Sequence, residues 1–326
     1  MPTHFLKPAI AALFSLAAAT QPAFAQAKWD LATGYSPGSF QTENVQQFAN
    51  DVEKAGGGKL KIALHPNGSL FKANEIKRAV QTGQVQAGEF ILSGAANESP
   101  LFGVDSIPFL ATSYGDAKKL WGASKPALEK YLADQGVKLL FVSPWPPQSL
   151  YSRKPVTKAA DLRGTKMRAY NPATSRIAVE LRAQPTTIQL AELAQALTTG
   201  GVDNFLTSSA SGVETKLYEH VKHLYEVNAW LPKNAVVVSQ KAFDALDAPL
   251  KDAILKAAAE AEARGFAVSE EKNKGFLAEL KQRGMQVQPP SADLQGELKK
   301  IGDAMIADWI KDAGAGGRAV IDAYRK

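Results

Sequence analysis

EIKRAVQTGQV at residues 75–85 aligns without gaps with ELAQALTTGGV at residues 192–202. Each copy has the pattern of a helix that begins with an acidic residue, ends at Thr-Gly and is followed by a strand beginning with Val. The acid suits the positive end of the helix dipole, and the glycine suits a left-handed helix cap. The repeat predicts two similarly built lobes, although two unrelated helix ends could also show this likeness.

Strand and helix patterns alternate around the first copy. They cover, in order, a strand at 28–33, a turn at 35–38, a helix ending at the glycines of 56–58, a strand at 60–64, a helix at 74–82 and a strand at 85–92. This order is typical of an α/β fold with parallel strands and crossover helices. Two such lobes would place strand ends and helix starts on facing walls, where small ligands bind.

The segments that would join the lobes are also recognisable. SPWPP at 143–147 cannot be helical and predicts an extended crossing. A helical pattern over 248–283 spans about 50 Å at 1.5 Å per residue and could lie across both lobes, with Gly265 and Gly275 as possible bends. We therefore assign residues 26–145 and 233–272 to lobe I, and residues 146–232 and 273–326 to lobe II.

A last helical pattern covers residues 292–312. One of its faces carries an apolar stripe that consists of Leu298, Ile301, Met305 and Trp309. Because apolar residues at this spacing usually face a core, we predict that the stripe packs inside the protein.

The N-terminus has the pattern of a cleaved secretory signal. Lys7 precedes an apolar run of about a dozen residues, and Ala23-Phe24-Ala25 offers small residues at the two positions that a signal peptidase reads. The run is shorter than the roughly 20 residues that cross a bilayer, which disfavours the alternative of an uncleaved anchor. We expect residues 1–25 to be removed, and a periplasmic protein without membrane insertion that begins near Gln26.

Composition excludes several classes of protein. The 326 residues are 45% hydrophobic and 21% charged, as in ordinary globular proteins, and include no cysteine. Disulfides, zinc-thiolate sites and thiol catalysis are therefore ruled out. The formal net charge of +6 is scattered, without basic-aromatic interleaving, so we expect no nucleic-acid partner. We also expect a monomer without a cofactor.

A serine hydrolase is a distant alternative. GYSPG at 34–38 matches the G-x-S-x-G elbow, with Ser36 as the nucleophile. The oxyanion hole needs the backbone N–H of the next residue, and Pro37 has none. We therefore predict no enzyme activity.

A metal site is a second alternative. His220 and His223 lie three apart on a predicted helix, beside Glu219 and Glu226. Catalytic zinc usually takes three protein ligands, and His65 is far away in sequence. We predict a solvated helix face and no metal.

DLRGTKMR at 161–168, TGGVD at 199–203 and YEV at 225–227 resemble the substrate-binding proteins of TRAP (tripartite ATP-independent periplasmic) transporters, the DctP family. The resemblance covers essentially the whole mature chain and includes SIPFL at 106–110. It implies a venus-flytrap fold that closes on a small carboxylate and delivers it to sodium-coupled TRAP membrane permease subunits. The α/β pattern alone leaves open a carboxylate-binding protein that serves an ABC importer or a sensor kinase.

The resemblance also implies site residues. Arg168 matches the arginine that clamps the ligand's carboxylate, and a guanidinium can pair with both carboxylate oxygens. Gln148 stands where sialic-acid-binding members have a second arginine, while Thr207 and Ser36 fall near asparagine positions of the family. Because these three replacements are neutral, a single cation favours a monocarboxylate over a dicarboxylate or sialic acid.

Aromatic residues fall at the same places: Tyr35, Trp145, Tyr170 and Phe205. We hypothesise an aromatic, 2-oxo or 2-hydroxy monocarboxylate that stacks beside Trp145. The predicted ligand-binding set is Arg168, Gln148, Trp145, Thr207, Ser36, Tyr35 and Phe205.

Overall fold

A computed structural model describes Met1 and residues 26–326. The predicted signal, apart from Met1, lies outside the described residues. The strands are β1 (Ala27–Thr33), β2 (Leu60–His65), β3 (Ala87–Ile91), β4 (Val137–Pro144), β5 (Ser149–Ser152), β6 (Lys166–Ala169), β7 (Gln184–Thr187), β8 (Asn204–Thr207), β9 (His223–Tyr225), β10 (Lys233–Ser239) and β11 (Gln286–Gln288).

The helices follow the predicted rhythm. They are α1 (Phe40–Ala55), α2 (Ile76–Gln81), α3 (Tyr114–Ala133), α4 (Pro172–Glu180), α5 (Leu190–Thr198), α6 (Ser209–Glu214), α7 (Gln240–Asp244), α8 (Ala248–Gln282), α9 (Ala292–Asp312) and α10 (Gly314–Arg325). Short 3-10 helices lie at Leu92–Ala95, Pro100–Ser106, Ala159–Leu162 and Leu217–Glu219. Within Met1 and residues 26–326, no helix combines the length and the apolar character needed to cross a membrane.

Two sheets form the centres of the two lobes. The sheet of lobe I has the order β2-β1-β3-β10-β4, and that of lobe II has the order β11-β9-β5-β8-β6-β7. Strand β1 pairs in parallel with β2 and β3, and β6 pairs in parallel with β7 and β8. Strand β10 returns to lobe I and pairs antiparallel with β3 and β4. The strands fall inside the lobe ranges expected from the sequence; the boundaries themselves stay a prediction.

The internal repeat occupies matching places in the two lobes. Helices α2 and α5 end before Gly83 and Gly200, which have φ values of 73° and 70°. The strand that follows each helix, β3 or β8, pairs in parallel with the first parallel strand of its lobe, β1 or β6. The two positive-φ glycines allow the same tight exit from helix to strand.

Apolar layers cover both faces of each sheet. In lobe I, α1 and α8 pack on one face and α2 and α3 on the other. The buried aromatic side chains of these layers are Trp29, Phe48, Phe90, Phe102, Trp121, Phe141, Phe243 and Phe266. In lobe II, the stripe of α9 is confirmed as core packing, since Leu298 and Met305 are buried and Ile301 and Trp309 lie against the same cluster.

Two extended segments cross between the lobes side by side. The amides of Trp145 and Gln148 donate to the carbonyls of Pro232 and Trp230, at 2.8 and 2.9 Å. Helix α8 also spans both lobes, because it contacts α1 and β4 in lobe I and α6 and β11 in lobe II. It runs through both of its glycines without a break.

The predicted helix around His220 and His223 is wrong. A 3-10 helix ends at Glu219, and His223 begins β9, which pairs with β5 and β11. His223 is buried rather than solvated. Among the described residues, no group of three His, Cys, Asp or Glu side chains could hold a metal ion.

Candidate ligand-binding site

A cavity of about 690 Å³ lies between the lobes. The turn after β1 contributes Tyr35, the first crossing segment contributes Trp145 and Gln148, and lobe II contributes Arg168 and Thr207. Both lobes therefore line the cavity near strand ends, where α/β folds bind small ligands. Five of the seven predicted site residues meet here.

Arg168 is a buried cation that lines the cleft from lobe II. It is only 4% exposed, its Nε donates to the carbonyl of Ile188 at 2.9 Å, and its guanidinium carbon lies 5.0 Å from the Tyr170 ring centroid. No carboxylate of residues 26–326 forms an ion pair with it. Burial lowers the pKa of Arg168 to about 10, so the side chain stays positive at neutral pH. A buried cation without a counter-ion is suited to bind an anion.

Gln148 and Tyr170 form one polar wall beside this cation. Gln148 donates through Nε2 to the carbonyl of Pro146 at 3.1 Å, and its Oε1 accepts from the Tyr170 hydroxyl at 3.4 Å. Trp230 Nε1 donates to the same hydroxyl oxygen at 3.3 Å. Burial raises the pKa of Tyr170, so its phenol stays neutral.

Tyr35 and Trp145 form the opposite wall, and one amide holds both. The Tyr35 hydroxyl and Trp145 Nε1 both donate to Asn234 Oδ1, at 3.1 and 2.9 Å. Trp145 is 3% exposed, with the rings of Tyr35 and Phe40 packed against it at 5.1 and 5.4 Å. Its indole thus has little free face for a stacking ligand.

Two predicted site residues do not line the cavity. Phe205 is fully buried and stacks on Tyr151 with ring centroids 5.1 Å apart, so it belongs to the core of lobe II. It shares a face of β8 with Thr207, but it lies two residues, about 6.6 Å, deeper in the strand. Ser36 lies in the turn before α1, where its carbonyl accepts from the Ser39 amide.

The cavity also extends toward charged residues that the sequence analysis did not single out. Lys72, Lys77 and Arg78 line it from lobe I, together with Glu98. Lys77 donates to Glu98 at 2.5 Å, which neutralises that pair. The cleft therefore holds more than the single cation expected from the sequence, although Arg168 alone lies among its aromatic walls.

Direct contacts hold the two lobes in this arrangement. Asn171 of lobe II donates to Ser93 of lobe I at 2.9 Å. Glu214, at the end of α6, accepts from the Phe40 amide at the start of α1 at 3.0 Å. Burial raises the pKa of Glu214 to about 7, against the lowering effects of the Phe40 amide and of Lys272.

Sequence reasoning missed Asn234 and Glu89, two buried residues whose hydrogen bonds hold Tyr35 and Trp145 in place. Asn234 Nδ2 donates to Glu89 Oε1 at 2.9 Å, and Thr33 donates to Glu89 Oε2. The sequence does contain a signal for them. Glu89 lies inside the otherwise apolar stretch AGEFI at 87–91, and Asn234 directly precedes the apolar run AVVV at 235–238. Buried polar groups of this kind need partners, and often support a site.

Residues 31–312 match the sequence profile of the bacterial extracellular solute-binding proteins of family 7, DctP. The crystal structure of DctP6, an extracytoplasmic solute receptor of Bordetella pertussis binding pyroglutamic acid, is similar over 91% of this chain and 99% of that one. Its sequence identity is 50% and its TM-score 0.90. A TRAP solute-binding protein of an unidentified marine microbe, specific for pyroglutamate, is 44% identical over 92% of this chain and 99% of that one, with a TM-score of 0.90.

A C4-dicarboxylate-binding periplasmic protein of Rhodobacter capsulatus is more distant. It is 27% identical over 258 residues, which are 76% of each chain. The structural likenesses confirm the predicted two-lobed α/β fold.

Proposed function

The chain belongs to family 7 of the bacterial extracellular solute-binding proteins, and on that premise we propose that it captures pyroglutamate, or a similarly compact cyclic monocarboxylate, for a TRAP permease. The family consists of receptors for small organic acids and not of enzymes, so Ser36 is not a nucleophile. Receptors at 50% and 44% identity bind pyroglutamate, which supports this ligand class for the present chain. The signal pattern of residues 1–25 supports export to the periplasm.

Arg168 is the observation that carries the proposal. Its guanidinium is buried and lines the cleft, and only its Nε is committed to a protein acceptor in the described chain. The terminal nitrogens can then pair with both oxygens of one carboxylate. The ligand supplies the negative charge that the surrounding side chains do not, which favours the closed arrangement of the lobes.

The shape of the cleft favours a compact ring over the aromatic acid hypothesised from the sequence. Stacking on Trp145 would require a free indole face, and Tyr35 and Phe40 already pack against that ring. Tyr170, Gln148 and Tyr35 line the same cavity as Arg168. A carboxylate on a small polar ring matches this mixture of one cation, phenols and an amide.

The first test is a thermal-shift and calorimetric titration of the mature protein after unfolding and refolding to remove bound ligand. Pyroglutamate at 100 times its Kd should stabilise the protein by about 2.7 kcal/mol. Arg168→Ala should weaken binding by at least about 30-fold, in the range of about 2–5 kcal/mol for a buried charge that loses its partner. Arg163→Ala is the matched control, because Arg163 is exposed on the same segment outside the cleft.

Two outcomes would contradict the proposal. Wild-type affinity in the Arg168→Ala protein would show that the carboxylate binds elsewhere. Stabilisation by succinate, with none by pyroglutamate or any other monocarboxylate, would replace the proposed ligand class with dicarboxylates.

A further inference from the structure

A buried amide decides the hydrogen-bonding character of one wall of the cleft. Asn234 is 1% exposed and lies at the start of β10, behind Tyr35 and Trp145. Three of its hydrogen bonds are formed with protein groups, to Tyr35, Trp145 and Glu89. Its orientation therefore bears directly on what Tyr35 can offer a ligand.

The chemistry of its partners determines that orientation. An indole N–H can only donate, so the Asn234 atom 2.9 Å from Trp145 Nε1 has to be the oxygen. The amide nitrogen then faces Glu89 Oε1, which accepts at 2.9 Å. Exchanging the two amide atoms would place two hydrogen-bond donors opposite each other at Trp145.

Because Asn234 presents its oxygen to Tyr35, the single hydroxyl proton of Tyr35 is donated to Asn234. The Tyr35 hydroxyl lies 3.1 Å from the same oxygen, which has no hydrogen, so the phenol is the donor. A phenol has one proton and can accept through its lone pairs. Toward the cleft, Tyr35 Oη is thus an acceptor.

The opposite wall has a similar constraint. Gln148 Nε2 donates to the Pro146 carbonyl, so its oxygen faces Tyr170 and receives the Tyr170 proton. Trp230 donates to the Tyr170 oxygen and occupies part of its accepting capacity. Tyr35, which lines the same cavity as Arg168, is therefore the less occupied of the two phenol acceptors.

We propose that Tyr35 selects ligands that carry an N–H or O–H group beside the carboxylate held by Arg168, and rejects those with a bare oxygen there. The inference rests on the proposed function and deepens it. A lactam such as pyroglutamate provides the N–H, and a 2-hydroxy acid provides an O–H. A 2-oxo acid or a lactone would turn a lone pair toward the Tyr35 oxygen, which leaves two acceptors facing each other without a proton.

The test compares pyroglutamate with its lactone counterpart, 5-oxotetrahydrofuran-2-carboxylate, in which a ring oxygen replaces the N–H. Both are titrated by calorimetry into refolded wild-type protein. We expect the lactone to bind at least about tenfold more weakly, since a buried acceptor loses its donor. The ring size and the carboxylate are the same, so neither shape nor the contact with Arg168 explains the difference.

Tyr35→Phe assigns that difference to the phenol. The variant should bind pyroglutamate more weakly and the lactone no more weakly than wild type does, so that the ratio of the two constants falls toward one. Tyr218→Phe is the control, because Tyr218 lies beside Arg283 outside the cleft, and its ratio should stay at the wild-type value. The melting temperatures of both variants report whether the fold is retained.

Three other outcomes would each refute a particular part of the proposal. Equal binding of lactam and lactone by wild type would refute the donor requirement and leave the proposed function standing. A ratio that persists in Tyr35→Phe would assign the selection to another group. Binding of neither compound, with no thermal shift by any acid, would refute the proposed function and this inference with it.

Discussion

Replacing Glu214 with Gln should raise the melting temperature at pH 8 and leave it nearly unchanged at pH 4.5. Glu214 lies where α6 of lobe II meets the start of α1 in lobe I, and its Oε1 accepts from the Phe40 amide at 3.0 Å. Burial raises its pKa to about 7; nearby Glu43 adds to the rise, while the Phe40 amide and Lys272 oppose it. Glutamine keeps the oxygen that accepts from Phe40 and carries no charge to bury.

The size of the effect follows from the two pKa values. The folded chain holds the Glu214 proton up to about pH 7, and the unfolded chain releases it near the ordinary value of 4.5. Below pH 4.5 both states are protonated and the free energy of unfolding carries no penalty. As the pH rises from 4.5 to 7, only the unfolded state gains charge freely, so stability falls by about 3 kcal/mol and then stays level.

Melting curves of wild type and Glu214→Gln from pH 4.5 to 8.5 would measure this. The two curves should separate between pH 4.5 and 7, with the variant more stable. Glu129→Gln is the control, because Glu129 is an exposed carboxylate on α3, on the other face of the lobe I sheet from α1, and its change should stay below about 1 kcal/mol. A Glu214→Gln protein that melts lower than wild type at pH 8 would refute the reasoning, since the charge would then stabilise α1 by more than its burial costs.

Two further substitutions test buried contacts. Asp105→Asn should lower the free energy of unfolding by about 3–5 kcal/mol, because Lys233, 1% exposed and 3.7 Å from Asp105, would keep a buried charge without a partner. Denaturant unfolding measures the loss, and replacing Lys233 with Met in the same protein should recover much of it. Gly265→Ala should destabilise α8 by about 1–3 kcal/mol, because the new methyl carbon would lie 2.6 Å from Ser143 Oγ. Gly275→Ala, which has open space around it, should instead stabilise the helix by up to about 1 kcal/mol; the same sign for both would contradict the packing argument.

Local patterns predicted most elements well. The predicted helix at 292–312 agrees with α9 at both ends, and that at 248–283 agrees with α8 to within one residue. Helix α9 begins after the capping residue Ser291 and α8 after Asp247, and both carry regularly spaced apolar residues. Because caps and spacing are local features, the sequence alone was sufficient to predict where these helices begin and end.

Pairing between distant segments could not be predicted in the same way. The insertion of β10 between β3 and β4 pairs residues that lie 89 to 151 positions apart in the sequence. The apolar run AVVV in β10 is typical of any buried strand and does not identify its neighbours. The spacing of His220 and His223 suits a helix, yet pairing with β5 and β11 places His223 in a strand.

Residue type and the family motif predicted five side chains that the structure brings together, while their part in ligand binding stays a prediction. Arg168, Tyr35, Trp145, Gln148 and Thr207 do line one cavity. Strand alternation gives the face on which a side chain lies but not its depth, so it could not tell Phe205 in the core from Thr207 in the cleft. The partners of Tyr35 were equally out of reach, because Asn234 is about 200 residues away in the chain.

Helix α8 gives the molecule a mechanical property. It extends over about 52 Å and is fastened to α1 and β4 at one end and to α6 and β11 at the other. In the proposed mechanism, spreading the lobes would therefore bend a helix that is attached to both, in addition to turning the crossing segments. The energy of that bending would contribute to the equilibrium between open and closed forms even without ligand. Softening or stiffening its middle would multiply the affinity for every ligand by a common factor and leave their ranking unchanged.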